Sequence, residues 1–298
     1  MKRVTSLGLV CGLGLGCGSS DGEPPAPGTA AGAGEVRAGA SVEADDRGAP
    51  PGTKELLTDE TEPVPEHEGL TRLREAVDAT PMDPQAHRRL GVALRRAGRT
   101  EEALGHLRRA VELAPEAPGV LLSLGIAYSE AGRLDEAKTT YARINPAAPD
   151  YPKALSNLGN IALRQGSPEG AIDFYRKAAE ADPSYILARH KLAGVLKYYG
   201  RVDEAYPIYE AINAMTPSTS EEQGLVVDSV YQMGSINLAR GEVDLAEQQL
   251  TLVVRAAPLH RSAHYARAQA LIVLGRQEEA ERELDAHVQV LHASGQGF

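Results

Sequence analysis

The sequence has 298 residues, 31 Lys and Arg against 41 Asp and Glu, a formal net charge of −10, two cysteines and no tryptophan. That balance argues against a dedicated nucleic-acid binder. Cys11 and Cys17 both fall in the first 17 residues, so the rest of the chain has no disulfide, no thiolate metal site and no cysteine nucleophile.

With aromatics at 4%, the core must be built from Leu, Ala, Val and Tyr, which suits closely packed helices better than a sheet sandwich. Lys2 and Arg3 open the chain, and residues 7–16 (LGLVCGLGLG) follow as an uncharged apolar stretch too short to span a bilayer. The stretch reads as a secretory signal. It ends in Gly14, Leu15, Gly16 and Cys17, which resembles the lipobox of bacterial lipoproteins, although Gly14 stands where Leu is commonest. The resemblance implies a signal peptide over 1–17 and lipid attachment at Cys17, with palmitate-type acyl chains anchoring the chain to the cell envelope. Gly18 after the cysteine fits sorting to the outer membrane, on its periplasmic or surface face.

Residues 18–66 change character abruptly: 8 Gly, 8 Ala and 7 Pro, no aromatic, and 11 acids against 3 bases. Such a segment buries too little apolar surface to offset its ordering entropy, and it reads as a disordered acidic linker spanning roughly 40 Å. Its charge also makes it a candidate ligand for a basic surface elsewhere on the chain.

From residue 67 onward a period of 34 takes over. Gly98, Gly132, Gly166 and Gly200 keep that spacing, as do Ala103, Ala137, Ala171 and Ala205, and Pro115, Pro149, Pro183 and Pro217. The series resumes at Gly241, Ala246 and Pro258 after a longer step. Together with Leu121, Leu124, Gly125, Tyr128, Ala137, Tyr141 and Pro149, this pattern closely resembles the tetratricopeptide repeat. The resemblance implies an all-α fold, a TPR superhelix of antiparallel helix pairs. Its parts would be a capping helix over 67–83 and repeats over 84–117, 118–151, 152–185, 186–219, 227–260 and 261–294. Gly–Ala pairs let the paired helices approach, large residues fill the space between them, and Pro ends the second helix.

The last repeat has Arg267 and Ala268 where Leu-Gly is expected, and Glu278, Glu279, Glu281, Glu283 and Asp285 supply a polar outer side. The seven extra residues 220–226 make about two helical turns, and Thr219 with Glu222 forms a capping box ahead of them. A longer first helix over 220–240 follows.

The family places the first helix of each repeat on the concave groove. Sorted that way, first helices carry a charge summing to +10, so an acidic chain has a basic inner surface. Repeat one offers Arg88, Arg89 and Arg95, and repeats three and four offer Lys153, Asn157, Asn160, Arg164, His190, Lys191 and Lys197. Asn157 and Asn160 hold the sixth and ninth positions of their repeat. In the family, Asn there bonds a peptide backbone while nearby Lys or Arg clamps carboxylates.

Enzymatic motifs are missing. His260 and His264 are four apart without a His-Glu-x-x-His context, and they read as surface histidines. The expectation is a non-catalytic scaffold, lipid-anchored in the bacterial cell envelope, that binds an acidic protein or peptide in its groove, with no cofactor, metal or nucleic acid. The alternative is a periplasmic assembly chaperone or pilotin-like factor for pilus, secretion or cell-wall machinery.

Overall fold

A computed structural model describes residues 66–293, so the features expected over residues 1–65, including the signal peptide, lipidated Cys17 and almost all of the linker, lie outside the described residues. Thirteen helices and no strand occur among those residues. The first, α1 (Glu66–Ala79), ends before Thr80 and Pro81, short of residue 83. Pro81 explains the early stop, because proline disfavours helical backbone in the residue before it.

Six helix pairs follow. The first members are α2 (Pro84–Arg96), α4 (Pro118–Glu130), α6 (Tyr151–Arg164), α8 (Ile186–Tyr198), α10 (Ser220–Arg240) and α12 (Arg261–Val273). Their partners are α3 (Thr100–Leu113), α5 (Leu134–Ala142), α7 (Pro168–Ala181), α9 (Val202–Asn213), α11 (Val243–Ala256) and α13 (Gln277–Ala293). The long helix expected over 220–240 is α10. Thr219 Oγ1 accepts from Glu222 N at 3.1 Å, and the Glu222 carboxylate reaches back to Ser218 N at 2.6 Å instead of to Thr219.

Two sets of glycines divide the labour that the sequence assigns to one. Gly98, Gly132, Gly166, Gly200, Gly241 and Gly275 all have φ between +72° and +81°, and nothing lies within 4 Å of where a Cβ would stand. They are there to turn the chain, not to let helices approach: each follows a first helix in the left-handed conformation that ends it. Close approach belongs to Gly91, Gly125, Gly159 and Gly234. A Cβ on Gly125 would lie 2.4 Å from the Tyr141 ring, and one on Gly159 2.6 Å from the Tyr175 ring.

Tyr141, Tyr175 and Tyr209 are fully buried at the same position of successive repeats, and Leu107 and Leu250 take that position in repeats one and five. Each large side chain fills the space that a small residue on the facing helix leaves open. Successive first helices approach one another closely from α2 through α12, whereas the backbones of successive second helices stay farther apart among the described residues. The first helices therefore form the tighter, inner layer of the superhelix, with the second helices on the outer, convex side.

Candidate functional site

The inner layer is basic, though less so than the sequence count implies. Because α10 begins at Ser220, Glu221 and Glu222 join this layer and take two charges off its sum.

Its centre is a polar cluster between α6, α7 and α8. Asn160 Oδ1 accepts from the Tyr175 hydroxyl at 2.7 Å and from Lys191 Nζ at 3.3 Å, while Asn160 Nδ2 faces Asn157 Oδ1 at 3.4 Å. Asn157 and Asn160 are each 8% exposed and Lys191 only 6%. Among the described residues no carboxylate stands within ion-pair distance of Lys191, and burial lowers its ammonium to about 8, opposed weakly by Glu221 of α10.

A second cluster joins repeats four and five. Asp228 of α10 accepts from His190 Nε2 at 2.7 Å and from Gln232 Nε2 at 3.2 Å, with His260 Nε2 at 3.9 Å. Burial pushes the Asp228 carboxyl up, but the bonds from His190 and Gln232, with His260 nearby, outweigh it and hold the group well below the usual carboxylate range. Gln232 Oε1 in turn accepts from Lys197 Nζ at 2.5 Å, and burial lowers the Lys197 ammonium.

Several expected groove cations are in fact ties between neighbouring repeats. Arg95 is 8% exposed, and its Nη1 donates to Glu130 Oε1 of α4 at 2.6 Å. Arg164 Nη1 donates to the Ser129 carbonyl at 2.6 Å and to its hydroxyl at 3.2 Å. Both pairs are 35 residues apart, one repeat plus one residue; Lys197 and Gln232 are also 35 apart, but across the longer step into repeat five. Arg88 Nε donates to Gln85 at 2.9 Å on its own helix. Lys153 and Arg89 are exposed, and no carboxylate pairs with either among the described residues.

The histidines expected at the surface are not there. His260 caps α12, its Nδ1 accepting from Ala263 N at 3.2 Å, and His264 is 5% exposed, held between Glu283 and the Pro258 carbonyl. Glu283, assigned to a polar outer side, instead faces inward, where Arg267 bridges it to Glu247 and Thr251. Among the described residues no three His, Cys, Asp or Glu side chains gather as a metal would require.

Sequence reasoning missed Ser129, Glu130, Tyr175, Asp228 and Gln232. Aligning each repeat against the next with an offset of one would have exposed the ties of Arg95 to Glu130 and of Ser129 to Arg164.

Family profiles described as tetratricopeptide repeat match residues 67–118, 94–159, 152–185 and 231–295. No curated protein matches the sequence. Among solved structures, the chain is 16% identical to Pseudomonas aeruginosa pilF, covering 77% of this chain and 95% of that one at a TM-score of 0.55. It is 14% identical to a chain of the APC/C hetero-tetramer Cut9-Hcn1, covering 76% and 43% at a TM-score of 0.56. It is 20% identical to YrrB, described as a TPR protein with an unusual peptide-binding site, covering 65% and 97% at a TM-score of 0.46. These are likenesses of fold.

Proposed function

The chain belongs to the tetratricopeptide repeat family, and from that premise we propose that it is a non-catalytic scaffold that docks an acidic protein or peptide against the inner face of α6 and α8. The observation that carries this reading is Lys191, an ammonium group buried in the inner layer without a carboxylate partner, on the same face as exposed Lys153. A buried cation without a counterion is costly, and an incoming carboxylate lowers that cost. Asn157 and the Arg164 guanidinium extend the polar surface along α6, and His190 and Lys197 continue it on α8 toward Asp228 and Gln232. Arg88 and Arg89 belong to a second, N-terminal basic stretch, while Arg95 sets the spacing between α2 and α4.

In this reading residues 1–17 are a lipoprotein signal, Cys17 carries the lipid, the acidic segment to residue 66 is the linker, and residues 67–298 are the docking array in the bacterial cell envelope. Cys17→Ala then abolishes palmitate incorporation and releases the chain from membranes; retention of label would refute the anchor. For the docking face, a photo-crosslinking amino acid is placed in cells at Lys153 on the inner layer or at Lys177, exposed on the outer helix α7. One discrete partner captured from position 153 and not from 177 supports the reading, and equal capture from both sides refutes it.

A further inference from the structure

The two terminal repeats carry histidine at the same position, the fourth, with opposite surroundings. In repeat six, His264 Nε2 lies 2.9 Å from the Pro258 carbonyl and Nδ1 lies 2.6 Å from Glu283 Oε2. Repeat one reproduces this 177 residues earlier: His87 Nε2 lies 3.2 Å from the Pro81 carbonyl, and Nδ1 faces the residue equivalent to Glu283. That residue is His106, with the two Nδ1 atoms 3.1 Å apart and the rings tilted by 30° at a centroid distance of 5.4 Å.

The proton count follows from these partners. A carbonyl only accepts, so His87 Nε2 carries a hydrogen, and in the neutral ring Nδ1 is bare. His106 Nδ1 must then donate to it. One added proton, on His106 Nε2, leaves that bond intact. A second would put hydrogens on both facing Nδ1 atoms and two positive charges in contact. At the other end the acceptors lie on both sides of His264, so protonating it costs no contact.

The groups around the pair do little to compensate. Burial lowers the proton affinity of His106, and His87 and then Arg74 of α1 act in the same direction, while Glu102 of α3 opposes. Glu102 is itself engaged by Arg74 and Arg99. The one acid of α4, on the far side of α3, is Glu130, and it is engaged by Arg95.

We propose that the contact between His87 and His106 is an acid-sensitive latch, which holds α2 and α3 together at neutral pH and releases the N-terminal end of the array as the surroundings acidify. The opened end takes up protons that the closed pair refuses. Closure is therefore complete above the ordinary histidine range near pH 6.5 and weakens as pH falls through it, by about tenfold per pH unit for each proton refused. The latch lies behind α2, so its release changes what Arg88 and Arg89 offer a partner while the α6–α8 face is untouched.

Hydrogen exchange of the full chain at pH 7.5, 6.5 and 5.5, corrected for the intrinsic rate, reads the latch directly. Opening of residues 66–113 is expected to rise at least tenfold over this range, with residues 261–293 unchanged. His106→Gln, whose amide serves as donor or acceptor, removes the pH dependence, and His106→Glu, which copies the arrangement at the other end, does the same. Flat exchange in the native chain, or the same pH dependence in both variants, would overturn the latch.

Discussion

Repeats two and three seat a tyrosine against a glycine in the same slot, and the two hydroxyl groups meet opposite fates. The Tyr175 hydroxyl donates to Asn160, whereas the Tyr141 hydroxyl is buried and makes no well-aligned hydrogen bond, with only the Asn157 side chain of α6 beside it. The ninth residue of the repeat accounts for this, being Asn160 in repeat three and Ile126 in repeat two. Packing is thus a property of the repeat, satisfied wherever glycine faces a large side chain. Polar chemistry is a property of the individual repeat, set by one position on the inner layer.

The comparison breaks first where the two repeats agree. Gly125→Ala and Gly159→Ala each drive a Cβ into a tyrosine ring, and each is expected to cost about 1–3 kcal/mol, read as matched falls in Tm. Unequal losses would show that the slots are not equivalent.

Lys191→Met then tests the buried ammonium. Folding holds that group's pKa below its value in the unfolded chain, so stability is reduced while both forms are charged and recovers as pH rises from about 8 toward the ordinary lysine value near 10.4. The variant is expected to gain on the order of 1 kcal/mol at pH 7 in chemical denaturation and to lose the alkaline rise. A loss of stability at pH 7 would mean that the bond to Asn160 outweighs the cost of burial.

The finest test is the hydroxyls themselves. Tyr175→Phe is expected to cost about 1 kcal/mol, while Tyr141→Phe changes stability little or raises it, because only a poorly aligned contact with Asn157 is lost. Equal costs would show that Tyr141 bonds Asn157 as firmly as Tyr175 bonds Asn160.

The architecture was legible because its causes are periodic. Left-handed glycines every 34 residues, prolines after the second helices and a capping residue at Thr219 act on their own neighbours in sequence, so spacing alone reveals them. The state of the inner-layer cations was not legible for the opposite reason. Whether Arg95 is free or buried against Glu130 depends on how far each first helix slides along the next, and no single repeat encodes that offset. Arg267 shows the same limit. It breaks the Leu-Gly pattern and reads as degeneracy, yet it organises Glu247, Glu283 and Thr251 into the polar join of α11, α12 and α13. The extra turns of α10 were legible as a helix. Asp228, which they help to place opposite His190, carried no signal in the spacing.

Docking on the inner layer is tested most directly by fluorescence anisotropy with a labelled peptide rich in Asp and Glu, titrated at low salt. Lys153→Glu alters one exposed side chain and leaves buried Lys191 and the Arg164 tie to Ser129 in place, so the fold is spared. Lys177→Glu makes a comparable change on the outer side. The inner change should weaken binding at least tenfold and the outer change hardly at all. Equal affinity for the native chain and the inner variant would contradict an acidic partner seated on α6 and α8.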